Sequence, residues 1–206
     1  EPFMNNRKMF CPRGKMLGGS SSHNGMVHVR GNPMDFENWA QKDLKSWNYN
    51  NVLPYFKKSE SIEGLDETYR NKSGPLKLSR SSEGNELSKV YLEAAEQAGY
   101  EINNDMNGYK QEGFGLMDTT IYGGRRQSTS VTYLHPVINR RNLTVITNTI
   151  VNKVIIENNK AVGVECTTGR EIKKIHAENE VILSAGAINS PQLLMLSGIG
   201  LSLIHI

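Results

Sequence analysis

The last third of the chain carries the sequence feature that most restricts its fold: a run of β-patterned segments that leads into one strand-to-helix turn. Four segments rich in Val, Ile and Thr predict a β-meander, and they lie at residues 143–147, 151–157, 161–167 and 171–176. A continuous apolar run follows at 181–184, which is typical of a strand buried in a parallel sheet. Strands of both kinds beside a helix predict a mixed α/β fold, with α+β character.

The turn after residue 184 leads into the last predicted helix. Ser190 is a favoured N-cap residue, Pro191 suits the first helical position, and Gly198 is expected to end the helix. A strand that passes through Ala185-Gly186-Ala187 into a helix presents backbone N–H groups, at which a phosphate or the edge of an adenosine can bind. The pattern is equally compatible with a purely structural turn.

The middle of the chain predicts helices joined by loops and short strands. Helices are expected at 35–40, 50–59 and 86–98, with Pro54 in the first turn of the second and Gly99 capping the third. One face of the third helix is apolar and consists of Leu87, Val90, Tyr91, Ala94 and Ala98. The other expected features are a loop at 60–85 with one short strand at 76–78, a turn at Asn107-Gly108, and strand-like pieces at 113–134 around Gly123-Gly124.

A Gly- and Ser-rich segment, residues 13–25, is the second feature with chemical meaning. Its glycines let backbone approach a flat or anionic ligand without a Cβ clash, and its N–H groups, hydroxyls and Asn24 can serve as fixed donors. A surface loop without any ligand has the same composition. A Walker A phosphate loop is excluded, because no Gly-Lys-Ser/Thr sequence follows a glycine at the required spacing.

Composition and charge argue against several other classes of protein. The net charge is only +3, and the basic residues are scattered, with pairs such as Arg125-Arg126 expected on solvated faces, so no nucleic-acid footprint is present. Cys11 and Cys166 have neither metal-ligand spacing nor a disulfide framework, and Cys166 is expected to be a core thiol. We therefore expect no metal site, and no segment has the length and hydropathy of a membrane span.

The two chemically meaningful segments, taken together, resemble the glucose–methanol–choline (GMC) oxidoreductase family. Residues 13–37 resemble its first signature, and GAINSPQLLMLSGIG at 186–200 fits its second. The stretches RGNPMDFENWA (30–40), SWNYNNVLPYFKKSE (46–60) and RRNLTVITNTIVNKVIIENNKAVGVE (140–165) also resemble the family, most closely its FAD- and quinone-dependent glucose dehydrogenase branch. Departures are His23 in place of an aliphatic residue, His28 in place of an aromatic one, and residues 201–206, which do not align.

The resemblance implies a discontinuous FAD-binding domain with a parallel sheet, and a substrate domain built on an antiparallel sheet. Residues 1–45 and 140–206 are expected in the FAD domain and residues 46–139 in the substrate domain. The implied reaction is oxidation of an alcohol or a sugar hydroxyl by hydride transfer to the flavin, followed by electron transfer to a quinone-type acceptor or O₂.

The resemblance also implies which residues contact FAD. The flavin and its ribityl–pyrophosphate chain are expected to be lined by Leu17, Gly18, Gly19, Ser20, His23, Asn24, Gly25, Met26 and Val27. The backbone of Val151 is expected at the adenine, and Ala185, Gly186 and Ala187 at the adenosine half. The run Ser21-Ser22-His23-Asn24 further resembles the choline oxidase branch, in which the histidine before this asparagine is covalently linked to the flavin, whereas simple packing of His23 against the flavin is the alternative.

The chain begins with Glu1-Pro2 rather than Met, and we expect it to be an internal fragment. The family's G-x-G-x-x-G turn and its active-site histidine are not found in it, so no catalytic residue is expected here and the fragment alone is expected to be inactive. A non-catalytic binding or structural protein on the same fold is the alternative. The compartment is not fixed by the sequence, because the sequons at Asn71 and Asn142 matter only in a secreted protein.

Overall fold

The computed structural model describes residues 2–81 and 85–200, and the chain forms two compact units, Glu1–Leu143 and Thr144–Ile206. Each unit combines helices with strands, which confirms the mixed class expected from the sequence. Gly84, part of the expected loop, and residues 201–206, which depart from the family pattern, lie outside the described residues.

In the first unit, a 3₁₀ turn at Pro2–Met4 precedes the Gly/Ser-rich segment, which is followed by strand β1 (Val27–His28) and helix α1 (Pro33–Ala40). The side-chain Oδ1 of Asn32 accepts a hydrogen bond from the Met34 N–H at 2.9 Å, and Pro33 takes the first helical position. This cap starts the helix two residues before the predicted residue 35, because Asn and Pro are both favoured at such a start.

Helix α2 (Tyr49–Ser59) agrees with the predicted range, but the expected place of Pro54 is wrong. Asn48 caps the helix through a 3.0 Å hydrogen bond from the Asn51 N–H to its Oδ1, so Pro54 falls within the second turn. The N–H that proline lacks would have donated to the carbonyl of Asn50. That residue is exposed, so water can satisfy its carbonyl.

Short strands connect distant parts of the first unit. Strand β2 (Glu60–Ser61) pairs in parallel with β3 (Leu76–Lys77), while β5 (Asp118–Thr119) lies between β1 and β4 (Ser79–Arg80) in an antiparallel sheet. Strands β6 (Ile121–Tyr122) and β7 (Arg125–Arg126) form a hairpin. Its turn is Gly123-Gly124, with φ of 55° and 71°, and its two strands agree with the strand-like pieces expected around this pair.

Helix α3 (Glu86–Gln97) begins at the predicted residue and ends one residue before the predicted end, but its predicted apolar face is uncovered within the described residues. Asn85 caps the start, and Gly99 follows the end with φ of 85°. Leu87 is 75% exposed and Tyr91 63% exposed. The helix therefore buries little apolar area inside this unit.

The second unit is built on the predicted meander, with one difference. Strands β8 (Thr149–Glu157), β9 (Lys160–Thr168) and β10 (Glu171–His176) are antiparallel in the order β10-β9-β8, and Cys166 lies in the core at 2% exposed. The strand expected at 143–147 is wrong: these residues are unpaired and mostly exposed, because none of the described strands offers them a partner.

The end of the second unit corrects two further expectations. Residues 181–184 form no strand among the described residues, because no neighbouring strand pairs with them, and Ile182 is 75% exposed. Helix α4 (Gly186–Leu196) begins before Ser190, which is therefore not its N-cap. Ser190 instead lies inside the first turns, where its Oγ accepts a 3.0 Å hydrogen bond from the Ala185 N–H. Pro191 is likewise inside the helix rather than at its start.

The C-terminal end of α4 agrees with the sequence. Gly198 has φ of 83°, its N–H donates to the Met195 carbonyl at 3.0 Å, and the Ile199 N–H donates to the Leu194 carbonyl at 2.9 Å. This is a Schellman motif, which requires a residue that tolerates positive φ. None of the helices among the described residues is long and apolar enough to cross a membrane.

Candidate functional site

The Gly/Ser-rich segment of the first unit folds back on itself. The Gly19 N–H donates to the Met16 carbonyl at 2.9 Å, and a 3₁₀ turn follows at Gly19–Ser22. The Gly14 N–H donates to Ser20 Oγ at 3.2 Å, and a Cβ on Gly14 would collide with the Gly19 backbone. Only glycine therefore fits at position 14, where the backbone lies directly against the backbone of Gly19.

The two glycines at 18 and 19 have different surroundings. Gly18 has φ of 87°, and a Cβ there would lie 2.5 Å from Ser22 Oγ and 3.1 Å from the Ser130 Cβ. A Cβ on Gly19 or Gly25 would meet nothing within 4 Å. Gly18 is therefore crowded by the protein itself, whereas Gly19 and Gly25 present bare backbone to open space.

The end of this segment presents His23 and Asn24 at the surface. Asn24 Oδ1 accepts a hydrogen bond from the Met26 N–H at 3.1 Å, which supports the positive φ of 63° at Met26. His23 is exposed, and its imidazole has no hydrogen-bond partner among residues 2–81 and 85–200. The structure gathers the first nine predicted cofactor residues into this one loop, and most are exposed: Leu17, Gly18, Gly19, Ser20, His23, Asn24, Gly25, Met26 and Val27.

A segment that the sequence did not single out holds this loop. Arg126 Nη1 donates to the Asn24 carbonyl at 2.8 Å, to Asn24 Oδ1 at 2.7 Å, and to the Ser21 carbonyl at 3.2 Å. The Thr129 N–H donates to Ser21 Oγ at 2.9 Å, and Thr129 Oγ1 donates to the Gly18 carbonyl at 3.2 Å. The expectation that both arginines of the pair lie on a solvated face is wrong for Arg126 and holds for Arg125, which is exposed.

In the same unit, a buried cluster of charges surrounds Glu60, whose side chain is 0% exposed. Arg30 Nη2 lies 2.7 Å and Arg70 Nε 2.8 Å from Glu60 Oε1, and His28 Nε2 lies 3.4 Å from Oε2. Arg70 also pairs with Asp105, and its Nη2 lies 2.7 Å from Asp118 Oδ2. No sequence pattern indicated this cluster, because its members are separated by up to 90 residues (28 to 118) and lie on different elements.

The charge cluster keeps Glu60 ionised. Burial by itself raises the pKa of Glu60, but the close contact with His28, the hydrogen bonds from Arg70 and the charges of Arg30 and Arg70 outweigh it and lower the pKa to about 2. A carboxylate with so low a pKa and no exposed surface is not a proton acceptor near neutral pH. The cluster therefore anchors β1, β2 and β5 to one another.

In the second unit, part of the predicted adenosine site borders one cavity. The cavity has a volume of about 510 Å³, and its lining includes Val151, Ala185 and residues 181–184. Val151 lies on β8, an outer strand of the three-stranded sheet, and is 39% exposed. Gly186 and Ala187 form the first turn of α4 next to this lining, and Gly186 has φ of 93° with open space at its Cβ position.

The described residues contain no group of three or more His, Cys, Asp or Glu side chains that could hold a metal ion.

The chain is similar in sequence and in structure to known oxidoreductases. The family model described as GMC oxidoreductase matches residues 2–204, which include four of the six terminal residues that departed from the pattern. An oxygen-dependent choline dehydrogenase from Brucella ovis is 48% identical over 200 residues, and the human mitochondrial choline dehydrogenase is 48% identical over 197 residues. A solved FAD-dependent oxidoreductase from Chaetomium thermophilum has a TM-score of 0.87 at 26% identity and covers 95% of this chain.

The chain spans only about a third of these proteins. It covers 36% of the Brucella protein, 33% of the human one and 36% of the solved Chaetomium chain. In the same three comparisons, 97%, 96% and 95% of its own length is matched.

Proposed function

This chain belongs to the GMC oxidoreductase family, and from that premise we propose that it is the FAD-binding part of an enzyme that oxidises an alcohol. We assign residues 1–45 and 140–206 to the FAD domain and residues 46–139 mainly to the substrate domain. The observation that carries the proposal is the loop at 17–27, where bare glycine backbone and an exposed His-Asn pair share one surface.

The residues present fit FAD. A flat ring system can lie directly on backbone only where no Cβ intervenes, and Gly19, Gly25 and Gly186 each have open space on that side. The first turn of α4 has no acidic residue, so its N–H groups and helix dipole favour an anionic or hydrogen-bond-accepting partner.

Bound FAD would supply the hydride acceptor, and the residues of this chain would bind and orient it. Leu17, Gly18, Gly19 and Ser20, with His23 to Val27, would line the flavin and its ribityl–pyrophosphate chain. Val151 would offer backbone to the adenine, and Ala185, Gly186 and Ala187 would contact the adenosine half. We assign no catalytic residue to this chain: Glu60, the most enclosed carboxylate, is ionised and held by cations on several sides.

The substrate class is a primary alcohol or a sugar hydroxyl, and electrons leave the flavin for a quinone-type acceptor or O₂. The names of the relatives favour choline as the first alcohol to test. Membership of the glucose dehydrogenase branch stays a prediction, and glucose is the second substrate to test.

The test uses the full-length protein that contains this chain. We expect it to purify with bound FAD and to reduce a quinone-type acceptor when choline, another primary alcohol or glucose is added. A protein without flavin would contradict the proposal. A protein that binds FAD but is reduced by none of these alcohols would support the alternative of a non-catalytic flavin-fold protein.

A further inference from the structure

The loop at 17–27 owes its shape to side chains about a hundred residues further along the chain. Arg126 Nη1 lies within hydrogen-bond distance of three oxygens, two of Asn24 and one of Ser21, at 2.7 to 3.2 Å. His23 lies between these two residues and its imidazole makes no hydrogen bond among the described residues, so the backbone on either side of it sets its direction.

The position of Arg126 is itself fixed. Arg126 pairs with Ile121 in the β6–β7 hairpin, and the next residue, Gln127, donates its N–H to the Thr120 carbonyl at 2.8 Å. Thr120 in turn donates its N–H to the Met26 carbonyl at 2.7 Å, at the end of the cofactor loop. The guanidinium therefore reaches the loop from a hairpin that is bonded to the same loop.

A second contact holds the other end of the 3₁₀ turn. The Thr129 N–H donates to Ser21 Oγ, and Ser21 Oγ donates to the Gly18 carbonyl at 2.5 Å. Arg126 and Thr129 thus hold the loop at Gly18, Ser21 and Asn24, and the exposed backbone of Gly19 lies between these points.

Given the proposed function, on which this inference rests, we propose that Arg126 is a positioning residue for the flavin. It does not act on the substrate; it holds Ser21 and Asn24, and through them His23, in the orientation that the cofactor meets. Nη1 has two N–H groups for these three oxygens, so at least one N–H is shared, and the planar guanidinium fixes their direction. A lysine would keep the charge on a flexible stem without that fixed plane.

Arg125 provides a matched control. It is the neighbouring residue on the same hairpin strand, and it is exposed. Its backbone carbonyl accepts a 3.2 Å hydrogen bond from Gln127 Nε2, a contact that does not involve its side chain. Replacing the Arg125 side chain changes the net charge by the same amount as replacing Arg126 but removes no contact to the loop.

The experiment compares Arg126→Met, Arg126→Lys and Arg125→Met in the full-length protein. The measurements are titration of the apoprotein with FAD, the visible absorption and circular dichroism of the bound flavin, and thermal unfolding of the apoprotein. We expect Arg126→Met to weaken FAD binding by about tenfold or more, because charge-assisted hydrogen bonds to the loop are lost, and to change the flavin spectrum of the saturated protein. Arg126→Lys should change in the same direction by a smaller factor, and Arg125→Met should match the wild type.

The outcomes separate this inference from the proposed function. A wild-type protein that never binds FAD would overturn both. A wild type that binds FAD, with Arg126 variants whose FAD affinity stays within about twofold and whose flavin spectrum is unchanged, would overturn the positioning role alone. If Arg126→Met does not fold, Arg126→Lys decides: an affinity and flavin spectrum equal to those of Arg125→Met would contradict the inference.

Discussion

At the scale of single residues, Gly18 and Gly19 allow a direct comparison, because they are adjacent but have different surroundings. Gly18→Ala would force a Cβ against Ser22 and Ser130 at a φ of 87°, so we expect a loss of stability of about 1–2 kcal/mol or more. Gly19→Val has open space at its Cβ position but places a β-branched residue at a φ of 53°, so we expect it to lose some stability as well as FAD. Flavin occupancy and the unfolding midpoint of both full-length variants check this, and full flavin occupancy in Gly19→Val would contradict our placement of the loop.

A direct test can decide whether the flavin is attached to His23 covalently or only packs against it. Its imidazole is exposed and makes no hydrogen bond among the described residues, so it is available either for packing or for a covalent bond to the flavin. We expect the bond to be absent, because such attachment also depends on surroundings beyond this loop. Acid precipitation of the full-length protein should then release all flavin into the supernatant. Yellow colour that stays with the washed protein, and disappears in His23→Ala, would show the covalent link instead.

The residues that the sequence did not reveal share one property: their partners are distant in the chain. Gly14, Gly18 and Asn24 stand out locally because glycine and asparagine have conformational preferences of their own. Arg126 and Glu60 lie in sequence segments of ordinary charge, and only the fold brings them to Asn24 and Arg30 respectively. Local sequence patterns therefore predicted the loop but not the distant residues that hold it in place.

At the scale of elements, the charge cluster joins β1, β2 and β5, and its pH dependence can be measured. The pKa of Glu60 is lowered from 4.5 to about 2 in the folded protein, so its ionised form adds stability above the usual pKa. That contribution, about 3 kcal/mol by the size of the shift, should be lost as the pH falls from about 4.5 towards 2. Glu60→Gln should lose stability by about 3–5 kcal/mol at neutral pH, because it leaves the buried guanidinium of Arg30 without a carboxylate and that of Arg70 with one carboxylate fewer.

The measurement is unfolding of the full-length protein as a function of pH, with Glu67→Gln as the control. Glu67 pairs with Lys72 on the surface, where both side chains are more than half exposed, so its replacement should have little effect. Equal stabilities of Glu60→Gln and the wild type at neutral pH would show that the cluster does not anchor these strands.

Elements were predictable where one short segment determines them. Helix α3 and three strands of the meander follow from periodicity, caps and turn residues within a few positions, and the structure confirms them. The start of α4 was missed because Gly186 can begin the helix at a φ of 93°, and Pro191 is accommodated inside it. Residues 181–184 have the composition of a buried strand, but a strand exists only where a partner pairs with it.

At the scale of the whole molecule, much of the apolar surface lies uncovered within each unit. Leu87 on α3 and Ile182 before α4 are both 75% exposed. We therefore expect residues 1–206, purified alone, to associate or to unfold without a sharp transition, since exposed apolar faces of this kind favour association. Thermal unfolding and sedimentation of this segment check the expectation, and a cooperative transition of a monomer would contradict it.

The central claim is that this chain binds the flavin of an alcohol-oxidising enzyme, and one anaerobic measurement tests it most directly. The purified full-length protein is mixed without oxygen with choline, and in parallel with another primary alcohol and with glucose, while the visible absorption of its flavin is recorded. Our account predicts a yellow protein whose flavin absorption bleaches with at least one of these alcohols and returns when an acceptor is added. A colourless protein, or a flavin that stays oxidised with every alcohol, would contradict it.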